Sequence, residues 1–153
     1  MVHKSITKLV AMAFVSFTLA ACATDSSSVY GNVSSKQGTV RELVRNVGDR
    51  VFFETDSSVL TASARDTLSK QAQWLRSNSN NLVIEGHADE RGTRDYTLGL
   101  GARRASAVKD FMVSLGVDPS RLSTVSYGKE RPVSLCANES CWSKNRRTVS
   151  VIR

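Results

Sequence analysis

The residues best placed to do chemistry lie in two neighbouring stretches, the acidic loop GHADERGT (86–93) and the segment LGLGARRASAV (98–108). The loop places Asp89 and Glu90 just after Leu82-Val83-Ile84-Glu85, a short apolar run that reads as a buried strand. The second segment carries Arg103 and Arg104 on the first turns of an expected helix. An acid fixes an ammonium, and an arginine fork takes a carboxylate through two parallel hydrogen bonds. Together they suit a zwitterionic amino-acid end. Spacing alone does not bring Asp89 and Arg104 together, because they lie fifteen residues apart.

Other chemistries find less support. His87, Asp89 and Glu90 resemble the start of a metal site, but no third His or Cys stands at ligand spacing. No separated carboxylate pair is marked by its surroundings, and no Ser or Cys nucleophile sits beside a base. The sequence therefore calls for no metal, no cofactor and no enzyme. Arg103 reads as a surface ion-pair residue, and Trp74 and Trp142 read as packing residues. Asp56, within TDSS (55–58), has two readings: a ligand contact, or a cap for the helix that follows.

The elements that must position these residues follow from periodicity and punctuation. Leu43–Val47 and Arg50–Glu54 flank Gly48-Asp49 and read as a hairpin. Ala64, Leu68, Ala72 and Leu75 share one helical face, with Thr61 as N-cap and Asn78 to Asn81 as the stop. A second helix is expected from about Asp95 to Leu115, with Leu98, Ala105, Val108, Met112 and Leu115 on one stripe and Gly116 just past its end. Asp118-Pro119 opens a brief turn, Leu122 to Tyr127 alternates as a strand, residues 128–144 form a loop, and Arg147–Ile152 is the last strand. The order β-β-α-β-α-β-β predicts an α/β (α+β) two-layer sandwich, with helices on one face of a mixed β-sheet.

Composition sets the frame. The 153 residues allow one domain plus tails. With 41% hydrophobic and 23% charged residues, the chain is neither disordered nor a multi-span membrane protein. A net charge of +7 suggests an anionic polymer or surface as partner. At the N-terminus, Lys4 and Lys8 precede an uncharged run from Leu9 to Ala21. Thirteen residues make about 20 Å of helix, too short for a bilayer core of about 30 Å. Residues 1–21 read as a secretory signal. Its exit, Leu19-Ala20-Ala21-Cys22, resembles the lipobox of bacterial lipoproteins. That resemblance implies cleavage before Cys22, which then carries a diacylglycerol thioether and an N-acyl chain, two or more chains being needed for stable anchoring. Ala23 is not the aspartate that marks inner-membrane retention in enteric bacteria, which favours the outer membrane. Cleavage removes two lysines and no acids, so the net charge falls from +7 to +5. Nucleic acid is then not an expected partner. Residues 22–42, rich in Ser and Gly, read as the lipidated cysteine and a flexible tether, with the domain over residues 43–153.

Four segments in order carry a wider resemblance: VFFETDSSVL (51–60), GHADERGTRDY (86–96), LGLGARRASAV (98–108) and SYGKERP…KNRRTV (126–149). They are similar to the OmpA-like peptidoglycan-binding domain family. GHADERG and SYGKERP match its lipoprotein branch, as opposed to the porin-linked members. The resemblance implies that Asp89 and Arg104 hold the free zwitterionic centre of diaminopimelate in a peptidoglycan stem peptide. Asp56 and backbone groups near Thr55 are implied as further contacts. Tyr96 is followed by Thr97 where the family has Asn, so Thr97 is left out of the site, and Gly101 stands where the family's helix often has Ser. Asn145, Arg146 and Arg147 match an N-R-R stretch that ties the last strand to the binding loop. The family's cysteine pair before that stretch implies a structural disulfide between Cys136 and Cys141, consistent with two thiols left in an oxidising compartment.

The function so implied is an outer-membrane lipoprotein, its domain facing the periplasm, that tethers the membrane non-covalently to peptidoglycan. It would work within the Tol-Pal system, with TolB as partner, in envelope integrity and constriction at division. The alternatives are an anchoring subunit of another envelope assembly, for secretion or efflux, and a cell-wall hydrolase.

Overall fold

The computed structural model describes residues 37–153. The signal segment 1–21, Cys22 and the first part of the expected tether lie outside the described residues. In chain order the elements are helix α1 (Val40–Glu42), a π-helical turn (Leu43–Val47), β1 (Arg50–Phe52), α2 (Ala62–Ser77), β2 (Leu82–His87), α3 (Arg94–Ser114), a 3-10 turn (Pro119–Arg121), β3 (Leu122–Gly128), α4 (Glu139–Asn145) and β4 (Arg147–Ile152). The sheet runs β1-β4-β2-β3, with β4 antiparallel to both its neighbours and β2 parallel to β3. It is the expected mixed sheet of an α+β two-layer domain.

The core forms where apolar stripes meet. Ala64, Leu68, Ala72 and Leu75 of α2 and Ala105, Val108 and Met112 of α3 pack with Leu82 and Ile84 of β2. Thr61 caps α2 by accepting from the Ala64 amide at 3.2 Å. Gly116 ends α3 with φ of 86°. Both are the residues that the sequence marks.

Two elements differ from expectation. The stretch Leu43–Val47 is helical, not the first strand of a hairpin. Its start is fixed by a capping box, in which the Thr39 hydroxyl accepts from the Glu42 amide and the Glu42 carboxylate accepts from the Thr39 amide. This puts Leu43 in the core with Val47, four residues on, packed against it, the spacing of one helical face. Ordered contacts begin before residue 43 as well, since Gly38 N donates to Asn80 Oδ1 at 2.7 Å. The expected loop 128–144 contains most of helix α4, started by Asn138, whose side chain accepts from Ser140 N at 3.0 Å.

One close approach sets the placement of α3. A Cβ on Gly86 would lie 1.9 Å from Gly101 O, and one on Gly101 would lie 2.4 Å from Ser126 Oγ. The two backbones touch here, so helix and sheet approach closely only because both positions are glycine. Gly101 therefore has a packing reason to be in the helix. Arg104, one turn on, shares its sheet-facing side.

Candidate ligand-binding site

β2 delivers the acidic loop. The register between β2 and β3 shifts at Gly86/His87, and Ala88 N then donates to Gly128 O at 2.9 Å, fixing the direction in which the loop leaves the sheet. Asp89 is 7% exposed and folds the loop around itself. It accepts from Arg91 N at 3.1 Å, Arg91 Nε at 3.2 Å, Arg91 Nη2 at 2.5 Å and Arg146 Nη1 at 3.4 Å. Gly92 follows at φ of 93°, a conformation that favours glycine. Thr93 then caps α3.

The facing wall comes from the segment after β1. Thr55 Oγ1 accepts from Arg91 Nη2 at 3.4 Å, and Asp56 sits at φ of 53°, a left-handed conformation that aspartate tolerates. The Tyr96 hydroxyl donates to the Asp56 carboxylate, which closes the cleft from the α3 side. Asp56 is thus a cleft residue, and Thr61 is the cap of α2. Thr55, Asp56, Asp89, Arg91 and Tyr96, with Gly92 and Leu100, line a cleft of about 290 Å³. A second cleft of about 370 Å³, lined by Phe52, Glu54, Ser63 and Lys144 among others, holds none of the site residues marked in the sequence.

Arg104 stands elsewhere. Its side chain is fully buried behind the cleft, and it donates to Ser57 O at 2.8 Å, His87 O at 2.8 Å and Glu54 O at 3.1 Å. It stitches the ends of β1 and β2 together, and these are the two segments that form the walls. Three of its five N–H groups are committed to main-chain carbonyls. The structure therefore brings Thr55, Asp56 and Asp89 to one cleft, with Arg104 as the brace beneath it. The cation on the cleft surface is Arg91, which the sequence reading passed over. The signal was present, since Arg91 follows Asp89 by two residues in the same loop.

Electrostatics follow this layering. Burial pushes Arg104 down to about 10, against the nearby Asp89 charge, and leaves it cationic at neutral pH. Burial pushes the Asp89 carboxyl up, but the hydrogen bonds and charge of Arg91 and the bond from Arg146 outweigh it and hold the group below the ordinary carboxylate range. His87 is pushed down to about 4, first by burial and then by the charges of Arg147 and Arg131. It is neutral at pH 7, with both ring nitrogens lacking a hydrogen-bond partner among the described residues.

The N-R-R stretch ties the parts together. Arg146 Nε donates to Phe53 O at 3.0 Å, and its Nη atoms reach Asp89 and Glu139. The Asn145 amide holds Val133 and Ser134, and Arg147 Nη2 donates to Arg131 O at 3.2 Å. Cys136 and Cys141 are disulfide-bonded, with Cα atoms 5.5 Å apart. Trp74 is a core residue, while Trp142 carries the Arg91 guanidinium 4.2 Å from its ring centroid. Arg103 lies 5.9 Å from the Tyr96 ring centroid. Thr97 is buried, and its hydroxyl donates to Arg94 O at 2.9 Å, which keeps it off the cleft.

Fold and site define a two-layer α+β domain with two acids and an arginine along one small cleft. The chain belongs to the OmpA family, whose model matches residues 52–146. It is 55% identical over 123 residues to a peptidoglycan-associated lipoprotein of Mesorhizobium japonicum, covering 80% of this chain and 73% of that one. Against the protein of the same description from Brucella melitensis it is 48% identical over 147 residues, covering 91% and 88%. The crystal structure of the peptidoglycan-associated lipoprotein from Burkholderia pseudomallei superposes with a TM-score of 0.67 at 39% identity, covering 69% of this chain and 90% of that one.

Proposed function

We propose that this protein is an outer-membrane lipoprotein, anchored through acylated Cys22, whose periplasmic domain binds peptidoglycan non-covalently and so ties the membrane to the wall. It is a binding protein, not an enzyme. The observation that carries the reading is the cleft in which Asp89, Asp56 and Arg91 face one another around about 290 Å³. That volume is near the lower end for small-molecule sites and fits one amino-acid end rather than a glycan chain. Asp89 and Asp56 receive the ammonium of a diaminopimelate centre, and Thr55 adds a neutral partner. Arg91 receives the carboxylate in place of the Asp89 oxygens, while Asp89 keeps Arg146 as a partner. Arg104 contributes its positive field and holds both walls. The names of the relatives support peptidoglycan as the polymer. By the same resemblance the protein works in the Tol-Pal system with TolB, in envelope integrity and constriction at division.

The test is a pull-down of the full-length, detergent-solubilised protein on purified sacculi, with free diaminopimelate as competitor. Retention that diaminopimelate releases supports the reading. Retention indifferent to it, or none, overturns the ligand assignment.

A further inference from the structure

Helix α4 has seven residues, too few to hold together on its own in water. It is closed by the disulfide between Cys136, just before the helix, and Cys141 within it. The two α4 side chains that support the cleft's residues stand inside or next to that ring. Glu139 lies between the cysteines, and Trp142 directly follows the second. The Glu139 carboxylate accepts from both Nη atoms of Arg146, and Arg146 Nη1 also reaches Asp89. Trp142 meets the acidic loop twice, with its face beneath Arg91 and its Nε1 donating to Glu90 Oε1 at 3.0 Å. A cross-linked turn therefore touches Glu90 and Arg91 of the binding loop directly and Asp89 through Arg146.

We propose that disulfide-closed α4 is a positioning bracket for the cleft, with Trp142 holding the Arg91 guanidinium and Glu139 holding Asp89 through Arg146. This rests on the peptidoglycan-binding reading above. Arg91 is a long, rotamer-rich side chain on a loop, and ordering it at the moment of binding costs affinity. The indole fixes the guanidinium plane beforehand, so that a carboxylate meets a cation already in place. Trp142 and Glu139 are positioning residues that need no contact with the ligand.

The experiment titrates a diaminopimelate-containing muramyl tripeptide into the full-length, detergent-solubilised protein by calorimetry, with circular dichroism as the folding control. Trp142→Ala should weaken binding about two- to fivefold, the size of one partly exposed cation–π contact. Trp142→Phe should restore most of that loss. In an Arg91→Ala background, Trp142→Ala should cost nothing further, because the two act as one unit. Cys136→Ser with Cys141→Ser should weaken binding about tenfold, since both contacts loosen. Trp142→Ala binding like wild type, or losing as much without Arg91, overturns the bracket. If Asp89→Ala abolishes binding while the Trp142 variants change nothing, only the bracket falls. If wild type and Asp89→Ala bind alike, the site reading fails and takes the bracket with it.

Discussion

Two arginines flank the same cleft and are spent in opposite ways. Arg104, behind it, is fully buried and saturates three main-chain carbonyls from two chain segments. Arg91, on its rim, is largely exposed, pairs with one carboxylate and rests on one aromatic ring. A guanidinium that satisfies buried carbonyls is a structural part, because removing it leaves polar groups desolvated without partners. A guanidinium whose outer side meets solvent can change partners, and buried Asp89 keeps Arg146 as a donor when it does. The floor of the site is thus built for rigidity and its rim for exchange. On the proposed reading a ligand carboxylate takes the place of Asp89 on Arg91, an exchange not open to the fully buried Arg104.

The largest expected effect breaks the floor. Arg104→Ala empties the space of a fully buried side chain and takes a donor from one buried and two partly buried carbonyls, and should destabilise the domain by about 3–5 kcal/mol, lowering Tm by about 10–20 °C. Arg104→Lys should recover little, because an ammonium cannot span Ser57, His87 and Glu54 with the geometry of a planar fork. Thermal melts followed by circular dichroism read both. A melt of Arg104→Ala unchanged from wild type would mean that the carbonyls find other partners.

Acid should act on the floor before the rim. His87, at the end of β2, takes its proton near pH 4 in the fold and near 6.5 when unfolded. The unfolded chain then binds more protons between those values, so stability should fall as pH drops from about 6.5 to 4 and stay level above pH 7. The accumulated loss is about 2–3 kcal/mol. Asp89 is shifted below the ordinary carboxylate range, so its contribution is lost only at still lower pH. Urea melts between pH 4 and 7.5 should show the slope, and His87→Gln should flatten it.

At the rim, Asp89→Ala should weaken binding of the muramyl tripeptide by about ten- to a hundredfold, the worth of one charge-assisted hydrogen bond. Calorimetry reads this directly. Arg103→Ala is the smallest change, within about 0.5 kcal/mol in both stability and binding, because Arg103 is exposed and lies 5.9 Å from the Tyr96 ring centroid.

The same contrast explains what was legible in the sequence. Long periodic elements were: α2 with its Thr61 cap, α3 with its Gly116 end, and the strands β2, β3 and β4. Their signals are local and repeat over several turns or pleats. Two short elements were not, although the three-residue β1 and the turn at Pro119 were. The turn at Leu43–Val47 was masked by Gly48-Asp49, which imitates a hairpin, and its real mark was the capping box of Thr39 and Glu42. Helix α4 has seven mostly polar residues and no stripe, so it read as loop. Within the site, motif resemblance picked out Thr55, Asp56, Asp89 and Arg104; the fold places the first three along one cleft and Arg104 buried behind it. It did not say which arginine faces outward. That depends on the Gly86–Gly101 contact, which draws α3 close to the sheet and buries Arg104, and such depth is invisible to spacing.

The central claim is that the rim arginine, not the buried one, exchanges with ligand. It is tested most directly by calorimetric titration of the full-length, detergent-solubilised Arg91→Ala protein with the muramyl tripeptide, alongside a thermal melt of the same sample. The account predicts binding weakened about tenfold or more, with Tm lowered by about 5 °C at most, well short of the fall expected for Arg104→Ala. Wild-type affinity in Arg91→Ala would contradict it.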